Sequence, residues 1–73
     1  MPIILAPLNK ELRILRVLLD EKTKKHLENL GVTQNGTITV LSSGGGAVVC
    51  KIKDGRVALD RNISTKILVA EAV

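Results

Sequence analysis

The chain has 73 residues, enough for one domain, so we predict a single domain over residues 1–73. Hydrophobic residues make up 45% of the composition but Phe, Tyr and Trp are absent, which excludes domains that stack bases or hold polyproline on aromatic rings. The net charge of +4 suits an acidic protein surface, anionic lipid or nucleic acid, although the 11 cations are scattered among 7 carboxylates without a basic run.

The cellular compartment is indicated by cysteine usage and by hydropathy. Cys50 is the single cysteine and cannot form an internal disulfide, which fits a reducing compartment. Residues 1–8 lack the cationic segment of a signal peptide, and no stretch approaches the ~18 apolar residues of a membrane span. We therefore expect a cytoplasmic protein that is not embedded in a membrane.

The first predicted element is a strand through residues 12–18, a short aliphatic segment interrupted by Arg13 and Arg16. Before it, Leu5 and Leu8 flank a proline. We expect these two leucines to form an irregular lead-in that covers one end of a barrel.

One helix is predicted, from Asp20 to Leu30. Asp20 can accept hydrogen bonds from the free N–H groups of the first turn. Leu27 and Leu30 make an apolar stripe, and Gly31 is suited to end the helix in the left-handed conformation. Val32 would then contact Leu27, as in a Schellman motif.

The rest of the chain has the alternation and turn residues of short strands. Strands are predicted over residues 37–42, 48–53, 56–59 and 66–69. Turns are predicted at Gln34–Gly36, Ser43–Gly46 and Asp54–Gly55, and a turn or a single helical turn is predicted over residues 60–65. Five short strands with one helix after the first predict a mainly β fold, bent into a small barrel.

Seven segments together carry a family resemblance over almost the whole chain. They are the leading Leu5 and Leu8, residues 25–32, residues 37–41, Gly44–Gly45, residues 48–52, residues 56–59 and residues 66–69. Their order and spacing resemble the FeoA family of SH3-like barrels. The chain departs from the family where Gln34-Asn35 replaces a usual Pro-Gly, and where Asp60 and Ser64 stand for a usual Gly and Ala.

The resemblance implies a small five-stranded SH3-like barrel with one short helix inserted after the first strand. It also implies a cytosolic accessory or regulatory protein of bacterial ferrous iron uptake. Its partner would be the FeoB membrane transporter, whose cytosolic part contains a G-domain.

Few residues are candidates for catalysis or metal binding. His26 is the only histidine, and nothing pairs with it in the sequence to make it a general base. Gly44–Gly46 lacks the Lys-Ser or Lys-Thr of a phosphate-binding loop. One histidine and one cysteine, far apart, do not supply the ligands of an iron or zinc site, and Cys50 falls on the inward phase of its strand. We predict no enzyme, no catalytic residue, no metal site and no cofactor.

Partner binding is therefore the predicted activity, through cations that could meet an acidic cytosolic surface. The predicted partner-binding residues are Arg13, Arg16, Lys22, Lys25, His26 and Asn29. The alternative, that these side chains only keep the protein in solution, is as well supported by the sequence.

Other interpretations stay open. Leu15 or Leu18, and Leu41 or Leu68, fall out of phase with the inward residues, so an exposed apolar patch could dock a partner or bury itself in a homo-oligomer. A nucleic-acid-binding SH3-like module is favoured by the basic charge and opposed by the missing aromatic residues, so we expect no nucleic-acid partner. A regulatory domain that binds a proline-rich segment is opposed by the same absence.

Overall fold

A computed structural model describes residues 1–53 and 55–72. A 3₁₀ turn at Ile3–Leu5 precedes five strands and two helices. In chain order these are β1 (Glu11–Val17), α1 (Glu21–Leu30), β2 (Thr37–Gly44), β3 (Ala47–Ile52), β4 (Gly55–Leu59), α2 (Arg61–Ser64) and β5 (Ile67–Glu71).

The five strands form one antiparallel sheet in the order β4-β3-β2-β1-β5. The register of β1 shifts between Ile14 and Arg16, and that of β2 between Val40 and Ser42. Such bulges bend a strand and increase its twist, so the sheet wraps around one core with overall extents of 28 × 26 × 22 Å. In the described part of the chain no ladder joins β4 to β5. The predicted mainly β, SH3-like fold with a helix after the first strand is confirmed.

The core is aliphatic throughout, apart from one cysteine. Its buried residues are Ile3, Leu12, Ile14, Val17, Leu27, Val32, Ile38, Val40, Val48, Cys50, Ile52, Leu59, Ile67 and Val69. They come from every strand, from α1, from the N-terminal 3₁₀ turn and, in the case of Val32, from the segment between α1 and β2. The prediction that Cys50 is a small core residue is confirmed, since its side chain is fully buried.

The lead-in is organised differently from the prediction. Ile3 is fully buried, whereas Leu5 is 71% and Leu8 48% exposed. Pro2 pairs with Leu68, so the next residue takes the inward phase of the sheet. The expectation that Leu5 and Leu8 cover a barrel end is therefore wrong, and Ile3 performs that packing.

Both ends of α1 follow from local hydrogen bonds. The Thr23 N–H donates to the Asp20 carboxylate at 3.3 Å. At the other end Gly31 has φ of 102°, and the Val32 N–H donates to the Leu27 carbonyl at 2.9 Å. The predicted N-cap and Schellman motif are confirmed.

The apolar stripe of α1 is narrower than predicted. Leu27 is buried, but Leu30 is 44% exposed. The residue after Leu30, Gly31, lies against Ile52 of the sheet instead. The two are so close that a Cβ added to Gly31 would lie 3.0 Å from Cδ1 of Ile52. The helix is therefore held against the sheet by its C-terminal half.

The turns show how closely glycine determines the connections. Gly45 and Gly46 have φ of 61° and 88°, and Gly44 pairs with Ala47. The β2–β3 connection is thus two residues long, shorter than the predicted Ser43–Gly46 tip, because β2 continues through Gly44.

The other three predicted turns differ in how far the structure tests them. Residues 60–65 contain the short helix α2 (Arg61–Ser64), which confirms the single helical turn predicted there. Asn35 has φ of 68°, and the Gly36 N–H donates to the Thr33 carbonyl at 3.0 Å, which confirms the turn before β2. The predicted turn at Asp54–Gly55 includes Asp54, which lies outside the described residues.

Candidate functional site

The predicted partner-binding residues are divided between two elements. Arg13 and Arg16 lie on β1, whereas Lys22, Lys25, His26 and Asn29 lie on α1. Each of them is exposed. Their exposure makes them available to a partner, but nothing in the fold tests their role in binding.

On α1, three of the four predicted residues form one strip. Successive helical residues are rotated by about 100°. Lys22, Lys25 and Asn29 therefore lie roughly opposite the buried Leu27. His26 lies at about 100° from Leu27, beside this strip. The α1 strip is accordingly a polar surface directed away from the core.

On β1, the two arginines share the outward face of the sheet. Arg13 is opposite Thr37 of β2 and Ala70 of β5, and Arg16 is opposite Leu68 of β5. Directly opposed residues in antiparallel strands point to the same face. Arg13 and Arg16 therefore lie close to side chains of β5 rather than to the α1 strip on their own segment of chain.

Exposed aliphatic residues accompany these arginines. Leu15 is 40% and Leu18 47% exposed, and Leu41 and Leu68 are half-buried. The prediction that some out-of-phase leucines face solvent is confirmed for Leu15 and Leu18. We call the surface formed by Arg13, Leu15, Arg16, Leu18, Lys66 and Leu68 the β1–β5 outer face.

Lys66 is the member of this face that was missed at the sequence level. The Leu18 N–H donates to the Lys66 carbonyl at 2.8 Å, so the two residues are neighbours across the strands. They are far apart in sequence, and only the pairing of β1 with β5 brings them together. No periodic signal around Lys66 would have revealed this neighbour.

A shallow depression of about 190 Å³ lies further along the sheet. Its polar lining includes Glu11, Thr37, Thr39, Lys51 and Lys53. Pockets for small molecules usually enclose about 300–1,000 Å³ and are mostly apolar. This depression has neither the volume nor the apolar lining of such a site.

The two residues best suited to bind a metal are separated in the fold. Cys50 is buried in β3, and burial raises the pKa of its thiol from 9.0 to about 11. His26 is exposed on α1. In residues 1–53 and 55–72 no three His, Cys, Asp or Glu side chains are grouped to hold a metal ion. That the protein carries no metal, cofactor or catalytic residue stays a prediction.

The length and composition of the helices were compared with those of a membrane span. Within the described residues, neither α1 nor α2 has the length and the apolar character needed to span a bilayer.

A bent five-stranded sheet, an aliphatic core and a helix after the first strand define a small SH3-like β domain, with charge confined to its outer surfaces. The model of the FeoA domain matches residues 1–71. The chain belongs to the FeoA domain family.

Solved structures with this fold include several FeoA proteins. Iron(II) transport protein A from Clostridium thermocellum has a TM-score of 0.85 at 19% identity, over 97% of this chain and 45% of that one. The FeoA protein from Chlorobium tepidum has a TM-score of 0.87 at 15% identity, over 100% and 71%. An iron uptake regulatory protein (FeoA), solved in a crystal, has a TM-score of 0.81 at 18% identity, over 97% and 95%.

These likenesses show the fold of the chain. The chain spans less than half the length of the Clostridium thermocellum protein. No curated protein sequence matches it.

Proposed function

We propose that the protein is a cytoplasmic accessory protein of bacterial ferrous iron uptake that acts by binding the cytosolic region of an FeoB-type transporter. Membership of the FeoA domain family over residues 1–71 is the observation that carries this proposal. Two structural neighbours are described as an iron(II) transport protein and an iron uptake regulatory protein.

The distribution of side chains supports binding as the mode of action. The buried aliphatic residues form one core, and the depression on the sheet is too shallow for a substrate. What the domain offers to other molecules is its outer surface, where the predicted residues on β1 and α1 are exposed.

The charge supports an acidic partner surface. The net charge is +4, and the predicted set contains Arg13, Arg16, Lys22 and Lys25 without a carboxylate. Complementary charge steers association and raises the on-rate more than it raises affinity. Binding should therefore weaken as salt is added.

The test is calorimetric titration of the purified protein with the cytosolic region of the FeoB-type transporter from the same organism. We expect binding, and we expect the double reversal Lys22→Glu/Lys25→Glu to weaken it several-fold. Lys51→Glu/Arg56→Glu is the matched control, because it changes the charge equally on exposed residues of β3 and β4. It should weaken binding less. Absence of binding by the unmodified protein would contradict the proposal.

The basic charge also favours a second candidate, a nucleic-acid-binding module. Titration with duplex DNA and single-stranded RNA over a range of salt concentrations separates the two. Phosphate contacts produce an affinity that falls steeply with salt. We expect weak binding without sequence preference, because no aromatic ring is present to stack a base. Tight binding to either nucleic acid would favour this second function.

A further inference from the structure

Three cross-strand pairs of residues hold the β1–β5 outer face together. Leu18 lies beside Lys66, Arg16 beside Leu68, and Arg13 beside Ala70. Pro2 pairs with Leu68 from the other side and extends this surface by one more apolar residue. Cations and aliphatic side chains thus alternate over a continuous part of the sheet.

The bulge in β1 creates the most unusual feature of this face. Leu15 and Arg16 are both exposed, although Ile14 before them and Val17 after them are buried. In a regular strand the two consecutive residues would point to opposite faces. The register shift between Ile14 and Arg16 leaves both outward, so a leucine is presented next to an arginine.

The charge of this face has one sign. Arg13, Arg16 and Lys66 are its ionised members. Glu71 lies on β5 but is opposite the buried Leu12, in the inward phase. On β1 the outward carboxylate is that of Glu11. It lies two residues before Arg13 and opposite Thr39 of β2. Carboxylates therefore border the face without interrupting it.

The α1 strip has a different composition. The strip, formed by Lys22, Lys25 and Asn29, includes no aliphatic residue that could be desolvated at the centre of an interface. Two carboxylates, Glu21 and Glu28, also lie on this helix. Interfaces derive most of their binding energy from buried anchors near the centre, surrounded by polar groups. Leu15 and Leu18 can be such anchors, whereas the α1 strip can contribute only long-range attraction.

We propose that the β1–β5 outer face is the main docking surface of this protein, and that its occupant is a protein segment that carries carboxylates beside aliphatic side chains. This inference rests on the proposed function, since it assigns the binding of the transporter's cytosolic region to a specific surface. It adds Leu15, Leu18, Lys66 and Leu68 to the predicted residues, and it gives α1 the smaller part.

A protein occupant fits this face better than a lipid bilayer does. Peripheral binding to a bilayer requires apolar side chains that reach below the lipid headgroups. Leu15 and Leu18 are 40% and 47% exposed, so more than half of the surface of each side chain is already covered by the protein itself. Such partly covered leucines can pack against a flat protein surface, whereas insertion below the headgroups needs apolar side chains that project from the protein.

The test uses the full chain and the cytosolic region of the FeoB-type transporter as the probe. Two variants alter the face, Leu15→Ser/Leu18→Ser and Arg16→Glu/Lys66→Glu. Their matched controls are Leu30→Ser, which changes an exposed leucine on α1, and Lys22→Glu/Lys25→Glu. All the altered side chains are exposed, so each variant should fold. Amide NMR spectra of each variant check that it does.

Each variant of the face should lower the affinity at least about tenfold, as loss of central anchors does. Leu30→Ser should leave it unchanged, and Lys22→Glu/Lys25→Glu should lower it only several-fold. In the unmodified protein, amide shifts on titration should be concentrated in β1 and β5. Binding with shifts concentrated in α1, or with the face variants no weaker than their controls, would overturn this inference and leave the proposed function intact.

Two further outcomes are decisive. Failure of the transporter region to bind the unmodified protein would overturn both proposals. Vesicles made from equal parts of phosphatidylglycerol and phosphatidylcholine provide the lipid comparison. If the face variants abolish sedimentation with these vesicles but leave binding to the transporter region unchanged, the occupant is lipid and the inference is wrong.

Discussion

The hydroxyl of Ser64 donates a 2.7 Å hydrogen bond to the carbonyl oxygen of Gly46, and this contact ties α2 to the β2–β3 turn. Ser64 is fully buried, and among the described residues it is the one polar residue that is buried. The bond connects residues 18 positions apart. It therefore joins the last connection of the fold to the tip of its central hairpin.

Replacing Ser64 by Ala should lower the free energy of unfolding by about 1–3 kcal/mol, because the partly buried Gly46 carbonyl loses its partner. Thr65→Ala is the matched control. Its hydroxyl donates to the Arg61 carbonyl at 2.8 Å, but it is exposed, so water can replace it. Urea denaturation of both variants measures the difference. Equal effects would show that the Ser64 bond has no special role.

The Gly46→Ala variant should be less stable than Gly45→Ala. Both residues have positive φ, which a side chain disfavours by about 1 kcal/mol. An added Cβ at Gly45 would meet open space, whereas at Gly46 it would lie 2.5 Å from Nε of Arg61. Thermal unfolding should therefore give the order wild type, Gly45→Ala, Gly46→Ala. A reversed order of the two variants would contradict the packing of Arg61 against the turn.

The N-cap of α1 should make stability depend on pH in the acid range. The hydrogen bond from Thr23 lowers the pKa of the Asp20 carboxyl. A lowered pKa contributes stability that is present above the unfolded-state pKa and is lost as the pH falls through the folded-state pKa.

Asp20→Ala should therefore lower the Tm at neutral pH, and its difference from wild type should shrink as the pH falls below about 4. Asp20→Asn keeps an acceptor oxygen and should lower the Tm less. Calorimetric scans across the acid range provide the measurement. A difference between wild type and Asp20→Ala that does not change with pH would exclude this account.

Cys50 should react with thiol reagents only after the protein unfolds. Burial raises the pKa of its thiol to about 11, and the side chain is fully buried in β3. Labelling by Ellman's reagent at neutral pH should accompany urea unfolding rather than precede it. Rapid labelling of the native protein would contradict the burial of this residue.

The same pKa predicts a loss of stability in alkaline solution. The unfolded chain ionises the thiol near pH 9.0, while the folded chain keeps it protonated up to about pH 11. The stabilisation is therefore complete below pH 9 and declines as the pH rises from the first value to the second. Cys50→Ala should lack this component of the alkaline decline, which denaturation measured at several pH values can resolve.

Ferrous iron should not bind to this protein at a site of its own. His26 is exposed on α1 and Cys50 is buried in β3, so these two side chains do not share a site. Anaerobic calorimetry with Fe(II) should detect no stoichiometric binding tighter than micromolar. His26→Ala is the control for weak surface binding. A tight site that survives this substitution would require ligands that have not been recognised.

Much of the architecture could be predicted because its signals are local. The alternation of the buried Val48, Cys50 and Ile52 with less buried residues identifies a strand and its inward face, and this pattern could be recognised from the sequence alone. The predicted site was accessible only in part. Exposure of Arg13 and Lys22 could be anticipated, but the neighbours of Arg13 on β5 could not, because strand pairing is not encoded in either strand by itself.

The sequence by itself determined both ends of α1, since the hydrogen bonds of the Asp20 carboxylate and of the Gly31 and Val32 N–H groups reach residues only three to five positions away. Only the tertiary structure decided that Ile3, rather than Leu5 or Leu8, enters the core, and that Lys66 lies beside Leu18. These outcomes depend on β5 pairing with both the N-terminal residues and β1. Contacts between distant segments arise when the whole sheet assembles, so no local pattern specifies them.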